Sequence, residues 1–168
     1  MPRSQPDSYS RTQITLHWLI AALVVFQIIF AEGIDVYGDA LRNGQTPDIT
    51  TYLLGMGHVW AGIAVLVLMI ARIGLRFSHG APAPVAAPKL QDMAAKVVHG
   101  LFYLVLIAAP VTGIAAWFFQ IRPAGEIHHF TKPVLIVLIG VHVVGALWHQ
   151  FALKDDLMRR MVSSGKTA

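Results

Sequence analysis

No cysteine occurs among the 168 residues. Disulfides, thiolate-held iron–sulfur clusters and covalently attached c-type haem all require Cys sulfur, so the sequence excludes all three. Charge is scarce too. Lys, Arg, Asp and Glu make up 13 % of the chain while 55 % is hydrophobic, whereas a soluble domain carries about 25 % charged residues. Acidic residues are fewer than basic ones, leaving a formal charge of +4. The basic excess forms no continuous stripe, which excludes nucleic acid as a partner. No repeat of fixed period and no soluble domain can be read.

What the chain does have is apolar length. Four runs, at about 13–31, 52–75, 97–119 and 130–153, each approach or exceed the roughly 20 residues that a helix needs to cross a bilayer. The expected fold is therefore all-α: an integral membrane four-helix bundle, one transmembrane domain over 1–168, with lipid as its first partner. The first run is long for a secretory signal and lacks a small-x-small cleavage site, so it is read as a retained helix. Ten of the thirteen Lys and Arg residues fall on one side of these spans: Arg3, Arg11, Arg72, Arg76, Lys89, Lys96, Lys154, Arg159, Arg160 and Lys166. The positive-inside rule makes that side, and with it both termini, cytoplasmic. The other side carries Arg42, Arg122 and Lys132 against Glu32, Asp35, Asp39, Asp48 and Glu126. On the cytoplasmic side a Pro/Ala-rich stretch over 78–93 reads as an extended linker between two hairpins. On the outer side, 32–51 contains Gly33, Gly38, Gly44 and Pro47 and reads as an irregular cap over the bundle mouth.

The histidines carry the chemistry. A titratable imidazole inside a hydrocarbon span is costly and usually functional. His128 and His142 stand fourteen residues apart on the last run, nearly four helical turns, so both rings face about the same way, roughly 21 Å apart along the axis. His17 lies at the inner end of the first run and His58 in the outer half of the second. Four histidines at two matching depths suggest two stacked bis-imidazole haems: His17 with His142 near the inner face, His58 with His128 near the outer. Neutral imidazole on both axial positions leaves no site for dioxygen, so the inferred chemistry is electron transfer. His129 adjoins His128 and points about 100° away from it. The spacing to His142 selects His128, with His129 as the alternative outer ligand.

Other residues fill secondary roles in this scheme. Gly55, Gly57, Ala61 and Gly62 surround His58, Ala21 and Ala22 follow His17, and Gly140, Gly145 and Ala146 flank His142, as a porphyrin face approaching the backbone would need. His149, seven residues beyond His142, is too close to ligate another haem, so with Trp18 it is a quinone-site candidate. Arg72 and His99 at the inner end are candidates to pair with haem propionates. His79 falls in the linker and reads as solvated. Pro110 is expected to kink the third helix. Gln27 is a polar group in mid-span for which the sequence names no partner.

The segment Ser10-Arg11-Thr12-Gln13-Ile14-Thr15-Leu16-His17-Trp18-Leu19, then Gly57-His58, Pro110 and Gly113, then His128, His142 and His149, resembles the bacterial cytochrome b561 family over nearly the whole chain. The resemblance implies a four-helix bundle in the bacterial inner (plasma) membrane, holding two b haems on residues matching His17, His58, His128 and His142. It also implies an oxidoreductase exchanging electrons between a small periplasmic donor and membrane ubiquinone, the donor being superoxide in one branch of the family. For that branch Lys132, one turn after His128, is the residue expected to steer the anion. The doubled His128-His129 departs from a single outer ligand. The rival reading is a cytochrome b anchor subunit of a hydrogenase or formate dehydrogenase-like complex, whose outer loops would dock an iron–sulfur partner. A metal or proton transporter using the histidines as relays is a third, and it predicts a colourless protein.

Overall fold

The computed structural model describes residues 6, 8–83, 88–155 and 157–164. Arg3, Lys166 and residues 84–87 of the Pro/Ala stretch lie outside them. In chain order the helices are α1 (Arg11–Ile29), α2 (Glu32–Arg42), α3 (Ile49–His79), α4 (Lys89–Phe119) and α5 (Arg122–Trp148), followed by a π-helical turn over His149–Leu153 and a 3-10 turn over Met158–Met161. Among the described residues there is no strand. Four of the helices are long and apolar enough to span a membrane. Leu53, Val67, Ile70, Leu104, Val137 and Val144 on their outer faces are each more than half exposed, a surface that only lipid would solvate well.

Local chemistry sets the ends. Ser10 and Gln13 form a reciprocal capping box at the start of α1, which satisfies two backbone N–H groups the helix itself leaves unpaired. Asp48 caps α3, accepting from the backbone N–H groups of Thr50 and Thr51 and from the Thr51 hydroxyl. Those bonds, the Thr51 amide first, hold its carboxyl below the usual carboxylate range. α3 stops at Gly80, whose φ of 75° suits glycine. α3 and α4 outlast their apolar runs, and α5 starts at Arg122, eight residues before the apolar signal does. Hydropathy marks only the hydrocarbon-facing part of a helix. Pro123 in the first turn of α5 favours an earlier start, since its missing N–H would be unpaired there in any residue.

The outer segment is not the irregular cap expected from its glycines. Residues 32–42 form α2, with Glu32 and Asp35 in its first turn and Arg42 in its last, each placed favourably for the helix dipole. The glycines instead allow close approach. Tyr37 is buried over Gly55 of α3, where a Cβ would stand 2.5 Å from Tyr37 Cβ, and Gly33 sits against Leu54. The Tyr37 ring stacks on Trp117 of α4 at 5.8 Å and meets the edge of Tyr52 at 5.9 Å.

Within the bundle α3 packs on α1 and α4, and α4 packs on α5. Ile20, Val24, Val65, Met69, Leu106 and Leu135 form the buried core. Leu135 is seven residues from both His128 and His142 on α5, and Val65 is seven after His58, so this apolar layer separates two histidine layers. The chain closes on itself at the His17 end. Gln13 donates to Gly80 O at 3.0 Å, Arg72 donates to Gln13 O at 3.2 Å, and Arg160 donates to Ala83 O at 2.8 Å. Both ends of the described chain and the α3–α4 connection therefore lie at one end of the bundle.

Gly55→Val should force Tyr37 off α3. Overpacking of this kind costs typically 1–3 kcal/mol, so α2 should undock while the four spans persist. Limited proteolysis within 32–48 should quicken about five- to a hundredfold, and Trp117 fluorescence should shift as its stacking partner leaves.

Candidate functional site

The histidines meet in two pairs. At one end the rings of His58 (α3) and His128 (α5) have centroids 5.9 Å apart; at the other, His17 (α1) and His142 (α5) are 6.4 Å apart. Imidazole nitrogen bonds a first-row transition metal at about 2.0 Å, so two rings on opposite sides of one ion have centroids about 6 Å apart. Both pairs match that span. They also bridge α5 to α3 and to α1, helices with which α5 has few close backbone approaches, its packing being against α4. The imidazoles thus face each other where the bundle is loosest.

The donor chemistry fits haem iron. His128 Nδ1 lies 2.8 Å from the Ala109 carbonyl oxygen; because a carbonyl only accepts, Nδ1 carries the hydrogen and Nε2 is left with a free lone pair. Gly113, one turn on from Ala109, makes room for this ring, since a Cβ there would stand 3.0 Å from His128 Cε1. His58 Nδ1 is buried with no hydrogen-bond partner. Among the described residues no three His, Asp or Glu side chains converge on a common point, so each candidate site offers two ligands and relies on other donors to complete a coordination sphere. A porphyrin does that with four nitrogens.

His129 points elsewhere. Its side chain is 69 % exposed and its Nε2 lies 3.9 Å from Asp35 on α2, whereas the His128 ring is the one turned to His58. At the other end His99 of α4 stands against His142 at 5.5 Å, and Phe102 covers the same ring at 5.4 Å. His99 is therefore in contact with a ligand candidate and not only near a haem edge. The guanidinium of Arg72 reaches α1 at Gln13, four residues before His17. Lys132, half-buried on α5, follows His128 by one turn, while Arg42 is engaged by Asp39. His79 closes α3, with Nδ1 2.8 Å from Ser78 Oγ.

His149 and Trp18 both join the C-terminal segment. His149 Nδ1 is 2.5 Å from Asp155 Oδ2, both side chains being mostly buried, and Trp18 Nε1 donates to Met161 O at 2.7 Å. Lys154, with φ of 53°, ends the π turn and reverses the chain so that Asp155 comes back to His149. Asp155 is a partner of a candidate site residue that the spacing of histidines does not reveal, because the pairing depends on that left-handed turn. The small residues divide differently from the expectation as well. Gly55 accommodates Tyr37, and Gly62 accommodates Gln27, whose Nε2 would be 3.1 Å from a Cβ there. Gly140 and Gly145 beside His142 face open space.

Comparison with known proteins gives the family. The family model for prokaryotic cytochrome b561 matches residues 8–164. "Cytochrome b562" of Cereibacter sphaeroides is 40 % identical over 159 residues, covering 95 % of this chain and 98 % of the relative. "Probable superoxide oxidase CybB" of Yersinia pestis is 34 % identical over 178 residues, covering 92 % and 95 %. "Cytochrome b561 homolog 1" of Escherichia coli is 30 % identical over 183 residues, covering 95 % and 99 %.

Proposed function

Because this chain belongs to the prokaryotic cytochrome b561 family, whose members transfer electrons in membranes, we propose that it holds two b haems and moves electrons across the bacterial inner membrane from a small periplasmic donor to ubiquinone. The two bis-imidazole pairs, spaced along one helix, carry this reading. His58 and His128 hold the outer haem, His17 and His142 the inner. When bound, each haem would supply a one-electron carrier. Arg72 and His99 meet the propionates of the inner haem. The Lys and Arg residues around the His17 end support a cytoplasmic location for that end.

The relative named as a superoxide oxidase supports superoxide as the donor. Two superoxide ions each give up one electron and leave as dioxygen; one quinone takes both electrons and two protons to become quinol. The haem would accept the electron, and the chain's own contribution is attraction and positioning of the anion at the His58 end. Lys132 supplies the attraction, Arg42 being already paired with Asp39. At the inner end Asp155 accepts the hydrogen of His149 Nδ1 and fixes that tautomer, so Nε2 is left with a lone pair that accepts from a hydroxyl of the quinol as it forms. Trp18, its N–H taken by Met161, offers its ring face as one wall of the quinone site.

The purified protein should be red, with two haems per chain extractable by acid-acetone. His128→Ala should remove one haem and His129→Ala neither; the reverse pattern would move the outer ligand by one residue. A colourless protein after expression with adequate haem would refute the proposal.

His149→Ala should retain both haems and slow reoxidation of the reduced protein by a ubiquinone analogue about 100-fold, the lower end of what a positioned acid–base group contributes. Unchanged reoxidation would remove His149 from the quinone site.

Reduction of the oxidised protein by superoxide, followed by pulse radiolysis, should slow as added salt shortens the Debye length from about 10 Å at 0.1 M towards 3 Å at 1 M. Lys132→Glu should slow it more than Lys132→Ala, with both haem spectra unchanged. Rapid reduction by another outer donor but none by superoxide would exclude superoxide and keep the electron carrier.

A further inference from the structure

Gln27 is a polar side chain in the apolar body of α1, and its two amide atoms are used unequally. Nε2 donates to the backbone carbonyl oxygen of His58 at 2.9 Å. Oε1 is buried with no hydrogen-bond partner, and so is His58 Nδ1 on the residue that Gln27 already touches. An amide oxygen only accepts. A neutral imidazole that gives its Nε2 lone pair to iron carries its hydrogen on Nδ1, which then only donates. The two atoms left over are complementary, and hydrocarbon offers neither of them water. His128 illustrates the arrangement, its Nδ1–H being held by Ala109 O. The His58 ring has no such backbone partner.

We propose that Gln27 is a positioning residue for the outer haem: its Oε1 accepts the hydrogen of His58 Nδ1, fixing the tautomer and ring orientation of that ligand and raising its basicity. This rests on the reading that His58 ligates a haem. Gln27 reaches the position because Gly62, one turn after His58, lacks a side chain; a Cβ there would stand 3.1 Å from Gln27 Nε2. A more basic axial imidazole favours ferric over ferrous iron. Removing the acceptor therefore raises the reduction potential of the outer haem, while the inner haem, held by His17 and His142, is untouched.

The test is potentiometric titration of the purified, haem-loaded protein, with the outer wave identified as the one that His128→Ala abolishes. Gln27→Leu should raise that wave by about tenfold in the reduction equilibrium, 59 mV for a one-electron couple, and leave the inner wave in place. Gln27→Glu, which keeps acceptor oxygens, should hold it at or below the wild-type value. Gly62→Ala, which crowds the amide, should raise it by less than Gln27→Leu, and it carries the same test where Gln27→Leu fails to accumulate. An outer wave unchanged in Gln27→Leu, or one displaced equally and in the same direction by Leu and Glu, would overturn the proposal, the second result being mere loss of packing. A wild-type protein without haem, or with a single wave, would instead overturn the two-haem reading on which it rests.

Discussion

Fourteen residues of α5 fix the distance between the two ends of this molecule. Because one continuous helix carries both His128 and His142, neither ring can shift along the axis without the other, and the two partner rings must come to them. His58 arrives on α3 and His17 on α1, each at the depth that α5 dictates. The helix must stay regular through Pro133 for this to hold, and it does. Its regularity ends only beyond the inner layer, where Trp148 gives way to the π turn that carries His149. The left-handed Lys154 that ends this turn reverses the chain, and Asp155 is thereby brought back to His149.

The two ends are built from different materials. The His58 end is closed by aromatic packing: Tyr37 from α2 lies against Gly55, three residues before His58, and against Trp117, four residues after Gly113. The stack thus sits about one turn outward of the imidazole pair, an apolar lid with Asp35 and His129 at its edge. The His17 end is closed by hydrogen bonds among Gln13, Gly80, Arg72, Trp18, Met161, Ala83 and Arg160. Polar closure suits the end where, in the proposed reaction, protons would reach a quinone. Aromatic closure suits the end where only an electron has to enter.

The spans and the pairing of the histidines were legible in the sequence because both depend on rules of spacing that the bilayer enforces. A helix in hydrocarbon must satisfy its own backbone, so fourteen residues between His128 and His142 translate directly into turns and depth. What could not be read depends on contacts between distant segments. α2 was concealed by its glycines, which signal irregular chain locally but serve here as contact points for the Leu54 and Arg42 side chains, as Gly55 of α3 does for Tyr37. Asp155 depends on a left-handed Lys154 that no propensity rule requires. His99 read as an edge residue because depth alone places it near the inner layer; that its ring meets His142 follows from the close packing of α4 on α5. Gln27 lacked a partner in the sequence because its partner is a backbone carbonyl 31 residues away.

The apolar layer of Ile20, Val24, Val65, Met69, Leu106 and Leu135 between the two histidine layers has a consequence for the proposed reaction. An electron can tunnel through packed hydrocarbon side chains, whereas a proton needs a chain of polar groups, and the buried core offers none. Electrons entering at the His58 end and protons entering at the His17 end therefore meet at the quinone without sharing a route. With the His17 end in the cytoplasm, as proposed, each electron would move towards the negative side of the membrane, and full passage costs about 2.3 kcal/mol per 100 mV of potential. Proton uptake from the cytoplasm does not offset this, because those protons cross little of the field. The donor must therefore be reducing enough to drive electrons uphill. In the proposed reaction an inner quinone converts part of that driving force into charge separation of the sense that charges the membrane, so the reaction is most favourable where the donor is a strong reductant generated on the outer face, as superoxide is.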